Sequence, residues 1–126
     1  MPSAHDAVSA NLETMLAAWG EDDPMRIRAL LESALSPEVV FVDPNYAIEG
    51  LEAFVTMIQA VRRENPGLTA AVTSGYDAHH DICRYTWRVT LADGTFLDGM
   101  DVTRLTADGK VLRVDGFFGP FPSQSG

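Results

Sequence analysis

A chain of 126 residues that is 46% hydrophobic supports one buried core and is too short to divide into two, so a single domain over residues 1–126 is expected. Its 18 acidic against 9 basic side chains leave a formal net charge of -9, which repels nucleic acid and anionic membrane surfaces and excludes both as partners. The lone cysteine, Cys83, rules out an internal disulfide and a cysteine-based zinc site, and with no apolar run of membrane length and no secretory leader pattern the expected location is the cytoplasm.

Ser3 followed by Asp6 predicts a helix start, and Val8, Leu12, Met15, Leu16 and Trp19 recur at helical spacing until Gly20 stops the pattern. Asp23-Pro24 supplies a cap and a first-turn proline. The stripe Ile27, Leu30, Leu31, Ala34 and Leu35 then predicts a second helix closing at Ser36-Pro37. Glu38 to Asp43 is rich in β-branched and aromatic residues and reads as a short strand ended by Pro44-Asn45. Gly50 precedes a third helix marked by Leu51, Phe54, Val55, Ile58 and Val61, and Asn65-Pro66-Gly67 terminates it.

From Leu68 onward apolar and polar residues alternate in long segments, interrupted by turn residues at 78–81, 92–94 and 107–109, which predicts four hairpin-linked strands. The order α-α-β-α-β-β-β-β defines an α+β fold. Each apolar helix stripe needs an apolar partner, so three helices must pack on one face of a strongly curved, mostly antiparallel sheet, forming a cone with an internal pocket. A loose tail is expected over 120–126. On the third strand Tyr85, Trp87, Val89 and Leu91 fall on one face and Arg84, Thr86 and Arg88 on the other. The pattern leaves open which set meets the helices, and the convex side is the expected homodimer surface.

The element order, together with VFVDP at Val40 to Pro44, IEG at Ile48 to Gly50, LDGMDVTRL at Leu97 to Leu105 and GFFGP at Gly116 to Pro120, resembles the nuclear transport factor 2-like superfamily. Within it the chain is most similar to SnoaL-like polyketide cyclases and ketosteroid isomerases. That resemblance implies a general-base aspartate at Asp43, ending the first strand before a proline, and a second, proton-donating aspartate at Asp101. Ketosteroid isomerases also use a tyrosine from helix one, where this chain carries Met15 and Trp19, a departure that argues against steroid isomerisation.

The residues themselves leave alternatives at both aspartates. A carboxyl group walled by apolar side chains loses hydration and becomes a usable acid or base near neutral pH, which suits Asp43 after Val40, Phe41 and Val42. Asp-Pro-Asn also reads as a turn whose side chain caps backbone amides. Asp101, between Met100 and Val102 in mid-strand, needs either a site or an ion pair with Arg84 or Arg88 to account for it. Met15, Trp19, Trp87 and Phe118 are candidate cavity walls, equally readable as core; Tyr46 is a candidate ligand donor and Arg84 a candidate contact. His79-His80 reads as a solvated turn, and since adjacent strand residues point to opposite faces no metal site is expected there.

No nucleophile elbow, phosphate loop or dinucleotide fingerprint occurs, so no cofactor is expected and acid/base chemistry is the remaining enzymatic class. The leading expectation is a pocket protein acting on a hydrophobic carbonyl compound, by isomerisation or cyclisation. A non-catalytic ligand-binding or dimerisation module on the same fold is the alternative. Epoxide hydration, drawing on Asn45, Tyr46, Arg84 and Asp101, ranks last.

Overall fold

The computed structural model describes residues 4–124, with side chains from Val8 onward. The expected helix-start residue Ser3 and the last two tail residues therefore lie outside the described residues. Helix α1 (Ala4–Ala18) buries Leu12, Met15 and Leu16, and the chain leaves it through a turn in which the Gly20 N–H donates to the Ala17 carbonyl. Helix α2 (Pro24–Ala34) starts as its sequence requires: the Asp23 carboxylate accepts the Met25 N–H at 2.9 Å, and Pro24 sits where no amide proton is needed.

Strand β1 (Leu35–Val42) begins three residues earlier than expected. Leu35 opens the strand with extended φ -108 and ψ 147, and Ser36-Pro37, expected to lie between elements, falls inside it. The reason is local: Pro37 disfavours a helical conformation at Ser36, and its missing N–H falls where the pairing of β1 with its neighbour is irregular, between Leu35 and Val40. A tight loop then returns into the short strand β2 (Ala47–Glu49), which pairs antiparallel with β1 and had no signal of its own beyond Ile48. Helix α3 (Leu51–Glu64) buries Phe54, Val55, Ile58 and Val61 and ends on Asn65, as its terminator predicts.

The β-rich half contains β3 (Thr69–Val72), β4 (Asp77–His79), β5 (Ile82–Thr90), β6 (Phe96–Leu105) and β7 (Val111–Phe118). The first of the four expected strands is split into β3 and β4, which pair in succession with β5; between them Ser74 Oγ accepts the Thr86 N–H and interrupts the ladder. The sheet runs β2-β1-β7-β6-β5-β3, with β4 also on β5, and only β1 with β7 is parallel. Three helices cover its concave face, as expected for this fold class.

Alternation along β5 fixes which side is which. Cys83, Tyr85 and Trp87 are buried toward the helices, while Arg84, Thr86 and Arg88 face outward and are exposed. Leu91 lies beyond the strand and is exposed. The outward arginines are paired: Arg84 with Asp77 and Arg88 with Asp98 at 2.7 Å, Arg104 with Asp81 at 3.1 Å and Arg113 with Asp115 at 2.9 Å. Arg62 is buried at the end of α3, where its guanidinium donates to the Glu21 and Leu68 carbonyls and pairs with Asp22, tying α3 to the α1–α2 connection. No helix of the described residues is long and apolar enough to cross a membrane.

Candidate active site

Strand register brings two carboxylates to one place. Asp101 on β6 lies between Tyr85 on β5 and Gly116 on β7, while Val42 at the end of β1 pairs with Asp115. Asp43, one residue past Val42, therefore reaches Gly116 from the other side. A Cβ placed on Gly116 would sit 3.1 Å from Asp101 Oδ1 and 3.3 Å from Asp43 Cβ, so the absence of a side chain there leaves the gap between the two acids open.

Asp101 is only 7% exposed, and each of its oxygens accepts one hydrogen bond. Tyr85 O–H donates to Oδ2 at 2.8 Å and Trp87 Nε1–H to Oδ1 at 2.9 Å. Trp87 reaches that oxygen by lying across Gly99, where any Cβ would collide with the indole and with the Phe117 carbonyl oxygen. Burial pushes the Asp101 carboxyl up to about 6, because the charged form loses hydration. The hydrogen bonds from Tyr85 and Trp87 pull the other way, and the nearby Asp43 charge adds a smaller upward push. Tyr85 is itself held well above the usual phenol range, first by burial and then by the Asp101 charge, so it stays a donor.

Asp43 is differently placed. Its Oδ1 accepts the backbone N–H groups of Asn45 and Tyr46, both at 2.8 Å, so the turn-capping arrangement is realised even though the residue also borders the interior space. That space is a cavity of about 190 Å³ between α1, α3 and the concave sheet. Asp43, Asp101 and Tyr46 line it, as do Met15 and Trp19 from α1 and Trp87 and Phe118 from the sheet. Phe118 meets Trp87 edge to face with ring centres 5.9 Å apart.

Of the expected site residues, Arg84 is the one the fold does not deliver. Odd and even positions of β5 face opposite ways, so with Tyr85 and Trp87 inward Arg84 points outward to Asp77. Two further readings fall with it. Asp101 is not ion-paired to Arg84 or Arg88, whose partners are Asp77 and Asp98. The Asp, Arg and Asp set needed for epoxide hydration is not assembled, because the arginine and Asp101 are on opposite faces of the sheet.

His79 and His80 do not point to opposite faces as two adjacent strand residues would. Both are exposed, His79 as the last residue of β4 and His80 in the turn that follows, where φ 53 turns its ring to meet His79 with Nδ1 atoms 3.1 Å apart. Among the described residues no group of three or more histidines, cysteines and acids is placed to hold a metal ion. Cys83 is buried against the core, where burial raises its thiol pKa.

Sequence reasoning missed Tyr85, Gly99 and Gly116. Tyr85 had a signal, since it shares a strand face with Trp87, but only the β5–β6 register identifies Asp101 as its partner. The glycines gave none, because nothing in their neighbourhood distinguishes a close-approach glycine from a turn glycine.

The same architecture recurs in solved structures. An NTF2-like protein of unknown function from Exiguobacterium covers 88% of this chain and 99% of its own at a TM-score of 0.72 and 24% identity. A presumed SnoaL-like polyketide cyclase from Jannaschia covers 87% and 85% at a TM-score of 0.66 and 19% identity. These likenesses establish an NTF2-like cone fold. A presumed isomerase of the SnoaL-like family from Agrobacterium tumefaciens is nearer in sequence, 32% identical over 90% of this chain and 98% of its own, with a TM-score of 0.82. The model of the SnoaL-like domain matches residues 12–114, and the chain belongs to that family. No curated protein matches it.

Proposed function

We propose that the protein is a cofactor-free acid/base enzyme of the isomerase or cyclase type, moving a proton on a hydrophobic carbonyl compound. The observation that carries this reading is Asp101: a buried carboxylate, raised to about 6, oriented by two donors and bordering an apolar cavity. A group with a pKa near the working pH can take a proton from carbon and return it, which is the demand of a 1,3-proton transfer. In that step the Asp101 carboxylate removes a proton α to the carbonyl, the electron pair moves onto the carbonyl oxygen as an enolate, and the resulting carboxylic acid reprotonates a different carbon.

The resemblance implied Asp43 as base and Asp101 as donor; the hydrogen bonding favours exchanging these roles. Burial keeps Asp101 basic against the pull of its two donors, which fix its orientation, whereas Asp43 is tied through Oδ1 to its own loop. Tyr46, which also lines the cavity, is then a donor to the developing oxyanion.

The test is deuterium exchange in a panel of hydrophobic ketones in D2O, followed by NMR. Wild-type protein should accelerate exchange at the α carbon, and Asp101→Asn should remove roughly 10²–10⁴ of that acceleration, the usual contribution of a general base. No acceleration across the panel, with Asp101 titrating as an ordinary aspartate, would leave a non-catalytic ligand-binding module on this fold.

A further inference from the structure

The cavity carries information about size and charge that the acid/base reading does not use. Its polar lining is Asp43, Asn45, Tyr46, Asn65 and Asp101, and among the described residues no lysine, arginine or histidine lines it. The only two tryptophans of the chain, Trp19 and Trp87, are both in its wall. Arg84 and Arg88 are turned outward and paired with Asp77 and Asp98, and the buried Arg62 is occupied by Asp22 and the Glu21 and Leu68 carbonyls. An anionic ligand would therefore enter an apolar space against two carboxylates with no cation to offset them, in surroundings where charges interact several times more strongly than in water.

Volume sets the second limit. A dry apolar cavity of about 150 Å³ is known to hold one benzene molecule, so the space here, which opens to solvent beside the exposed Leu97, encloses one ring with a short substituent, on the order of nine non-hydrogen atoms, and would leave most of a fused polycycle outside in water. Its edges are fixed by packed aromatic rings: Trp19 lies 5.9 Å from Phe41, and Phe41 5.2 Å from Phe54. Enlarging it would mean unpacking the core beneath.

We propose that the cavity selects compact, non-anionic, single-ring ligands and rejects both carboxylate-bearing and polycyclic ones. The inference rests on the reading of this cavity as the substrate site, and narrows the substrate to a small monocyclic carbonyl compound without an acid group. Two terms enforce the choice. The unbalanced Asp43 and Asp101 charges set the sign, and the aromatic walls set the size.

The two tryptophans make the test direct, since the 15N-labelled full chain has two indole N–H signals and both report on the cavity. Acetophenone, benzoate and androstenedione are titrated separately at pH 8, where Asp101 is ionised. Acetophenone should shift the Trp87 signal saturably, benzoate of nearly the same size should bind at least tenfold more weakly, and androstenedione should leave the signal in place up to its solubility limit. Asp101→Asn should narrow the gap between acetophenone and benzoate.

The proposal is overturned by equal binding of benzoate, by a Trp87 shift with the steroid, by no shift with acetophenone, or by a gap that the variant leaves unchanged. Because the readout is binding, its failure is separable from that of the enzymatic reading. Selective binding with no proton exchange on any ketone would remove the enzyme and keep the selectivity. Exchange catalysed equally well on steroid ketones would do the reverse.

Discussion

Asp101 is held in the fold at the expense of its charge, and that has a sign. Its pKa is about 6 when folded against an ordinary 3.8. The folded state thus binds a proton more tightly than the unfolded chain, so the Asp101 contribution to stability is fully present below about pH 3.8 and is lost as pH rises through about 6. A difference of that size corresponds to something on the order of 3 kcal/mol. Asp101→Asn should therefore flatten the stability profile between these pH values and raise stability above pH 7; urea unfolding at a series of pH values measures it. An amide there can still accept from Trp87 and donate to the Tyr85 oxygen, but it leaves the buried Tyr85 O–H without its acceptor, which offsets part of that gain. Tyr85→Phe makes an opposite demand on the same carboxyl. Removing a donor that stabilises the charged form should raise the Asp101 pKa further, seen as a later carboxyl transition in 13C NMR.

At the scale of elements, glycines and a buried arginine fix how strands and helices meet. Gly99→Ala should force Trp87 off β6, breaking its bond to Asp101 and destabilising the fold by about 1–3 kcal/mol, the usual range for overpacking. Thermal unfolding and the loss of the native Trp87 indole NMR shift check both halves of that expectation. Arg62→Leu should be comparably harmful, about 2–4 kcal/mol, because it strands the Glu21 and Leu68 carbonyls under α3.

Elements were legible in the sequence where a local signal sufficed. The Asp23-Pro24 cap, the α3 stripe and the Asn65 stop all read correctly, because capping and helical periodicity depend on residues within one or two turns. The β1 start, β2 and the split of β3 from β4 did not, because each depends on what the neighbouring strand offers. The site divided in the same way. Asp43, Asp101, Trp87 and Phe118 carried their own chemical oddity or bulk, whereas the outward direction of Arg84 and the partnership of Tyr85 with Asp101 follow from register and strand parity.

For the whole molecule, the outer sheet face combines charge pairs with a short apolar stripe. Phe117, Met100 and Thr86 stand side by side across β7, β6 and β5, with Phe117 57% exposed, and Arg88 lies 3.8 Å above the Phe96 ring. We expect two copies to pair through this face, which would bury the stripe and leave the arginine–aspartate pairs at its rim. Sedimentation should give a dimer mass for the wild-type chain and a monomer for Phe117→Glu; a wild-type monomer at micromolar concentration would refute the pairing.

The parallel contact between β1 and β7 has a consequence for how the two acids are brought together. Asp43 arrives early in the chain and Asp101 late, and neither strand that carries them touches the other; β7 alone bridges them. Until that final strand docks, β1 and β6 each present a raw hydrogen-bonding margin, and the two acids belong to separate halves of an unfinished sheet. The meeting of the two carboxylates beside Gly116 is thus acquired in the same event that joins the two halves of the sheet, so a chain in which the acids face each other is also one in which β7 has docked.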